Sequence, residues 1–102
     1  MPEATDDGSD DLDARLRASM LELLARRAAT STICPSDAAR AVGGPGWRSA
    51  MPLARDVAAR LADEGVVEVR QKGQPVDVRT ARGPVRIARG SGFGEAAPRR
   101  AP

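Results

Sequence analysis

Residues 47–70 read WRSAMPLARDVAARLADEGVVEVR, and this stretch decides the fold. Its first part repeats apolar residues every four positions, at Leu53, Val57 and Leu61. That spacing predicts a helix with one buried face. Gly65 is of the residue type that most often ends a helix, and the residues after it alternate between valine and a charged side chain. Alternation has the period of a half-buried strand, so the stretch predicts a helix followed directly by a β-strand.

A proline inside this helix bears on where the helix begins. Pro52 has no backbone N–H to donate, and a residue of this kind is tolerated in the first turn of a helix. We therefore expect regular helix from about Ser49. Trp47 is the only tryptophan of the chain, and we expect it to anchor the core at the start of this helix.

Two shorter helical patterns precede this stretch. The first is expected to begin near Ser9 or Asp10. Its apolar stripe consists of Leu12, Leu16, Met20, Leu23 and Leu24. The second is expected to begin at Pro35, a residue preorganised for the first helical position, and to end at the run Gly43-Gly44-Pro45-Gly46. Between the two, the β-branched residues at 30–33 suit a short edge strand that pairs with a later hairpin.

The residues after the first strand favour a β-hairpin with a long basic loop. Gly73-Gln74-Pro75 interrupts the alternating pattern, which resumes at Val85-Arg86-Ile87. Three helices followed by such a hairpin, the wing, make an α+β fold of the small winged helix-turn-helix type. A short strand at residues 31–33 completes this predicted architecture.

The net charge of +2 conceals a gradient along the 102 residues. Residues 1–11 hold five acids and no base, whereas residues 65–102 hold eight bases against three acids. The length allows one domain. We expect a winged-helix domain at residues 10–89, between a disordered acidic leader at residues 1–9 and a disordered tail at residues 90–102.

The composition excludes several classes of protein. A single cysteine, Cys34, allows no internal disulfide, and the lack of histidine removes the usual zinc sites and the usual base of a Ser or Cys nucleophile. No apolar run approaches the roughly 20 residues that span a bilayer. We therefore expect a cytoplasmic protein that is not an enzyme and that has no cofactor, no metal and no membrane partner.

Basic residues on the third helix and on the wing favour duplex DNA as a partner. On a helical wheel centred on Val57, an outward strip carries Arg48 and Arg55 together with Ala59, and an open basic strip suits the major groove. The predicted DNA contacts are Arg48, Ser49 and Arg55 on the third helix and Lys72, Arg79 and Arg82 on the wing. The same residues also fit an ordinary solvated face and a charged edge that discourages aggregation.

Two further hypotheses remain open from the sequence. In the first, the same fold is a protein-interaction or dimerisation module with no nucleic-acid role, which docks a partner or a second copy through the first helix or the wing edge. In the second, the acidic leader folds over the basic surface and competes with DNA.

Several short motifs are shared with a known family. They are Ile33-Cys34-Pro35-Ser36, Ala39-Arg40, Trp47-Arg48, Met51 with Arg55, Gln71-Lys72-Gly73, Val76-Asp77 and Arg82-Gly83-Pro84-Val85-Arg86. On these motifs, the stretch from Leu12 to Arg89 resembles the bacterial family known as domain of unknown function 3253. The resemblance implies a winged-helix domain without an assigned activity, and it carries no catalytic or metal-binding residue over to this chain. Val78 stands where the resemblance leads us to expect proline, which implies a looser wing.

Overall fold

The protein packs helices against a small antiparallel sheet, and its computed structural model describes residues 8–96. The helices are α1 (Gly8–Arg26), α2 (Pro35–Gly43), α3 (Trp47–Asp63) and the single turn α4 (Phe93–Ala96), and the strands are β1 (Val67–Gln71), β2 (Gln74–Pro75) and β3 (Arg86–Arg89). A 3-10 turn, Gly44–Gly46, joins α2 to α3. The α+β class predicted from the sequence is confirmed, and the arrangement is compatible with a small winged-helix-like fold.

α3 begins at Trp47, so the predicted start near Ser49 is wrong. The preceding 3-10 turn leads straight into the helix, since the Trp47 N–H donates to the Gly44 carbonyl. Pro52 therefore lies inside the helix and removes the N–H that would bond to the carbonyl of Arg48. Pro52 is exposed, and on an exposed face water can bond that carbonyl instead.

The chain turns from β1 into β2 through only two residues. Lys72 and Gly73 have φ angles of 54° and 79°, and positive values at both positions are what a type I′ hairpin turn requires. Gln71 and Gln74 pair across this turn. The break expected at Gly73-Gln74-Pro75 is thus a tight turn into a short second strand.

The sheet has the strand order β2-β1-β3. β3 pairs antiparallel with β1 over its whole length. On its other side, β3 meets Ile33 through a single bridge to Ile87, in which each backbone N–H donates to the other residue's carbonyl. The short strand predicted at residues 31–33 is therefore reduced to one bridging residue, which still ties the α1–α2 connection to the sheet.

The core lies between the helices and one face of the sheet. Its largest fully buried side chains include Leu16, Met20, Leu24, Ile33, Val57, Leu61, Val85 and Ile87. Val67 and Val69 are buried while Glu68 and Arg70 are more exposed, as the alternation predicted. Each fully buried aliphatic side chain contributes about 1.5–3 kcal/mol, so these positions supply most of the driving force for folding.

Residues 90–96 contact the folded body, whereas the sequence predicts that they belong to the tail. Phe93 is only 5% exposed. A Cβ atom at Gly90 would lie 2.4 Å from the carbonyl oxygen of Gly65, so this close approach requires glycine. At the other end, α1 begins at Gly8, within the predicted leader. The rest of the predicted leader and tail lies outside the described residues.

Arg89 fastens the last strand to the first helix. Its Nη2 donates to the carbonyl oxygens of Leu24 and Arg27, each at 2.8 Å. The last carbonyls of a helix lack the full set of intrahelical donors, and an arginine from β3 adds a donor here to the Leu24 carbonyl, which also accepts the Arg27 N–H at 3.2 Å, and to the carbonyl of Arg27 just after α1. The same guanidinium lies 4.7 Å from the centre of the Phe93 ring.

Candidate nucleic-acid interface

Arg55 lies on α3 as predicted, but its guanidinium is occupied within the protein. Nη2 donates to the carbonyl oxygens of Ala81 at 2.9 Å and Val78 at 3.3 Å, and Nη1 donates to that of Gly83 at 3.3 Å. All three acceptors belong to residues 76–85, the connection from β2 to β3, which we call the wing loop. Arg55 therefore brackets the wing loop to the middle of α3.

The wing loop covers part of the α3 surface that the sequence predicts to be exposed. Ala59 is 2% exposed, so its expected place on an outward strip is wrong. Helical periodicity shows which face of a helix turns away from its own buried stripe, and it cannot show that a later loop packs on that face. Val78 of the loop is 4% exposed, which makes it a packing residue rather than a source of looseness. The first turns of α3, with Arg48, Ser49 and Pro52, stay exposed.

Arg79 is bound by carboxylates instead of standing free at the surface. Its Nη2 lies 2.8 Å from Oδ2 of Asp63 on α3, and its Nη1 lies 3.9 Å from Oδ1 of Asp77. The hydrogen bond from Arg79 lowers the pKa of the Asp63 carboxyl below its ordinary value, and that bond in turn raises the pKa of Arg79. Arg79 is therefore a second attachment between the wing loop and α3.

The later turns of α3 are joined to α1 by two more arginines. Arg17 donates to both carboxylate oxygens of Glu64, at 2.8 and 3.1 Å. Arg60 bonds to Asp13 and lies 3.2 Å from Oδ2 of Asp56. The hydrogen bond from Arg17 lowers the pKa of the Glu64 carboxyl. Along this side of α3, each guanidinium is thus matched by a carboxylate.

Arginine at the start of α3 has a different partner. The guanidinium carbons of Arg40, in the last turn of α2, and of Arg48 lie 4.4 and 4.7 Å from the centre of the Trp47 ring. Both arginines are exposed, and neither has a carboxylate within 4.0 Å among the residues that the structure describes. Trp47 packs on the core but is only half-buried, so the expected core anchor also presents a surface.

Arg40 was missed by the sequence reasoning. Its place beside Trp47 depends on how α2 crosses α3, and no spacing along the chain reports that angle. The one available signal is the glycine-rich run before Trp47, which brings the end of α2 close to the start of α3.

Lys72 and Arg82 lie near each other at the far end of the sheet. The side-chain amide of Gln71, next to Lys72 in the chain, donates to the carbonyl oxygens of Arg82 and Pro84. Both basic side chains are exposed, and neither has a carboxylate within 4.0 Å in the described part of the chain. Of the six predicted contact residues, Arg48, Ser49, Lys72 and Arg82 are thus presented to solvent, while Arg55 and Arg79 are bonded within the protein.

An open groove of about 510 Å³ lies between α3 and the wing loop. Its lining residues are Met51, Pro52, Arg55, Asp56, Val78 and Arg79. The Arg55 and Arg79 side chains that border this groove already bond within the protein, so its remaining surface is mainly apolar.

Within residues 8–96, no group of three or more His, Cys, Asp or Glu side chains is placed to hold a metal ion. In the same part of the chain, none of the helices combines the length and the hydropathy that crossing a bilayer requires.

The fold and these surfaces define a small α+β domain that presents exposed basic side chains without a described carboxylate partner at the α2–α3 junction, at the turn between β1 and β2 and in the wing loop. Residues 13–90 match the family described as "Protein of unknown function (DUF3253)", and the chain belongs to this family. The family resemblance inferred from the sequence motifs is therefore confirmed. No curated protein matches the chain significantly.

Proposed function

We propose that this protein is a non-enzymatic module that binds duplex DNA through a winged-helix-like face. In this proposal, Arg48 and Ser49 contact the duplex from the start of α3, and Lys72 and Arg82 contact it from the hairpin end. Arg55 and Arg79 have a supporting role, because they hold the wing loop in place and have few donors left for DNA.

The observation that carries the proposal is the bracket made by Arg55. Arg48 and Arg55 are seven residues apart, so they lie about 20° apart around α3 and about 10 Å apart along it. Arg55 holds the carbonyls of Ala81 and Gly83, which flank Arg82. The bracket thus holds the backbone on both sides of Arg82 against the α3 face on which Arg48 also lies.

The surrounding charges support an anionic partner. Arg17, Arg60 and Arg79 have carboxylate partners, whereas Arg48, Lys72 and Arg82 have none within 4.0 Å among the described residues. Arginine binds phosphate in a bidentate manner and also reads the guanine edge in the major groove. An exposed cation without an internal partner keeps its full attraction for such a ligand.

Fluorescence anisotropy with a labelled duplex tests the proposal. Arg48→Ala combined with Arg82→Ala is expected to weaken binding at least tenfold at low salt, the size expected when charge-assisted hydrogen bonds are lost. Three or four phosphate contacts predict a slope of log affinity against log salt of about −3 to −4.

The matched control removes the same charge elsewhere. Arg15 and Arg26 on α1 form exposed pairs with Asp11 and Glu22 at 3.8 and 3.7 Å. Arg15→Ala with Arg26→Ala is expected to change affinity by less than about threefold, as general charge loss predicts. Equal losses in the two double variants would refute the assignment of the contact face.

The groove beside Arg55 favours a second candidate function, in which two copies of the chain associate through it. Its mainly apolar lining of Met51, Pro52 and Val78 is of the kind that protein contacts bury. Sedimentation velocity separates the two functions. A dimer whose population follows protein concentration and ignores added duplex favours self-association, and a monomer that sediments with the duplex favours DNA binding.

A further inference from the structure

We infer that Arg40, Trp47 and Arg48 form a phosphate-binding site at the junction of α2 and α3. The inference deepens the proposed function and rests on it for the source of the phosphate, which is the backbone of a duplex. Arg40 joins the contact residues through this site, and Trp47 holds the two guanidinium groups in place.

The ring attracts both cations without neutralising either of them. Arg40 and Arg48 lie 4.4 and 4.7 Å from the same ring centre. A cation–π contact stabilises a guanidinium through the quadrupole of the indole, which carries no net charge. Both positive charges therefore persist, each within 5 Å of the same ring centre.

A second pair of arginines in the protein shows how neighbouring guanidinium charges are balanced within the chain. Arg17 and Arg60 also lie near each other. The hydrogen bond to Glu64 raises the pKa of Arg17, and the positive charge of Arg60 lowers it by a smaller amount. There the chain itself supplies the anions, Glu64 and Asp13. No carboxylate of the described residues lies within 4.0 Å of Arg40 or Arg48, so an anion from outside has a place to bind.

The chemistry of the site selects phosphate among anions. Each guanidinium has five N–H donors in a plane, and a group that lies over an indole keeps its edge donors free for solvent or a ligand. Such planar forks match the oxygens of a phosphate group, and two of them can share one phosphodiester.

Trp47 is the only tryptophan, so its emission reports on this site alone. The first experiment titrates the whole protein with inorganic phosphate against chloride at equal ionic strength. We expect a saturable change in Trp47 emission with phosphate, and its loss in Arg40→Ala and in Arg48→Ala. Arg26→Ala, an exposed arginine on α1, is the control that should keep the response. The same emission with phosphate and with chloride would overturn the inference.

The second experiment separates this inference from the proposed function. Duplex binding is followed by anisotropy of a labelled duplex, and Trp47 emission is followed with an unlabelled one. Arg40→Ala is expected to weaken duplex binding about tenfold. Duplex binding that leaves Trp47 emission unchanged and is insensitive to Arg40→Ala overturns the inference and leaves the proposed function standing. A phosphate response that needs both arginines, without any duplex binding, supports the site and overturns the proposed function.

Both arginines are exposed, so the alanine variants are expected to fold. Far-UV circular dichroism and the melting temperature check this point. Arg40→Lys is the conservative variant, since it keeps the charge and loses the planar fork, and it should recover part of the phosphate response.

Discussion

The two ends of α3 hold their arginines by different means. Toward its C-terminus, Arg60 bonds to two carboxylates, and the neighbouring Glu64 accepts two hydrogen bonds from Arg17. At its N-terminus, Arg48 lies over the neutral ring of Trp47. Both arrangements fix the side chain, but only the second leaves the charge available. The partner of an arginine, rather than the number of arginines, therefore indicates which surface can attract an anion.

The wing loop shows the same contrast on a smaller scale. Arg79 is bonded to Asp63. Arg82, three residues later, is exposed and has no carboxylate within 4.0 Å among the described residues. Salt bridges at exposed positions contribute little to stability, with a typical value of about 0–1 kcal/mol. Their larger effect here is to cancel charge on one side of the molecule and to leave it on the other.

The largest effect is expected from breaking the bracket that joins these two regions. Arg55→Ala removes the donor for three carbonyls and is expected to lower the free energy of unfolding by about 2 kcal/mol, within the range for unpaired polar groups. Urea denaturation measures it. Arg55→Lys keeps the charge but cannot reach three acceptors, so it should lose most of the same stability. An unchanged unfolding midpoint in Arg55→Ala would show that the wing loop is held by other contacts.

Lys72→Ala sharpens the comparison at the hairpin end. The side chain is exposed at a turn, so the melting temperature should stay within about 2 °C of the original value, as for a neutral surface substitution. The loss of one phosphate contact should reduce the salt slope by about 0.9 and the affinity about fivefold at low salt. The reduced slope is the decisive readout, and a slope equal to that of the unmodified protein would remove Lys72 from the interface.

Asp63→Asn removes the nearer of the two carboxylates beside Arg79. Arg79 then keeps only Asp77, at 3.9 Å, so its positive charge is less neutralised and duplex affinity should rise about threefold at low salt. Asp11→Asn on α1 changes the net charge by the same amount and serves as the control. Asp11 is 74% exposed and precedes the wing loop in the chain by more than 60 residues. Equal gains in both variants would mean that only net charge matters.

The smallest effect concerns the acid side of the pH range. The pKa values of Asp63 and Glu64 are lowered from 3.8 and 4.5 by hydrogen bonds from Arg79 and Arg17. The folded state therefore holds fewer protons than the unfolded state, so these groups contribute stability above their ordinary pKa values and lose it as the pH falls through the lowered ones. When the pH is lowered from 5 to 3, the urea midpoint of the double variant Asp63→Asn, Glu64→Gln should fall by less than that of the unmodified protein. Equal drops would show that these pairs do not contribute.

Much of the fold followed from local patterns in the sequence. The four-residue spacing of Val57 and Leu61 and the alternation of Val67 and Val69 both report burial directly, and the structure confirms both. The end of α3 before Gly65 also agrees, since that glycine has a φ of 79°. These features depend on residues that are neighbours in the chain.

The candidate site depended on contacts that no local pattern reports. Arg55 and the carbonyl of Gly83 are 28 residues apart, and their hydrogen bond requires the wing loop to fold back on α3. The glycines and the serine before Phe93 favour a flexible segment, so the sequence predicts that Phe93 belongs to the tail. Gly90 is instead required for the close approach to Gly65 that brings Phe93 onto the core.

The bond from Arg89 to the end of α1 makes the order of synthesis matter. The Leu24 carbonyl accepts the nearby Arg27 N–H, and both it and the Arg27 carbonyl also accept from Arg89, which lies 65 and 62 residues further along the chain. On the ribosome, the first helix therefore emerges before the side chain that links its end to the sheet. Contacts between residues so far apart in sequence slow folding, because the loop between them must close first. A chain truncated before Arg89 would lack the link that joins the beginning of this domain to its end.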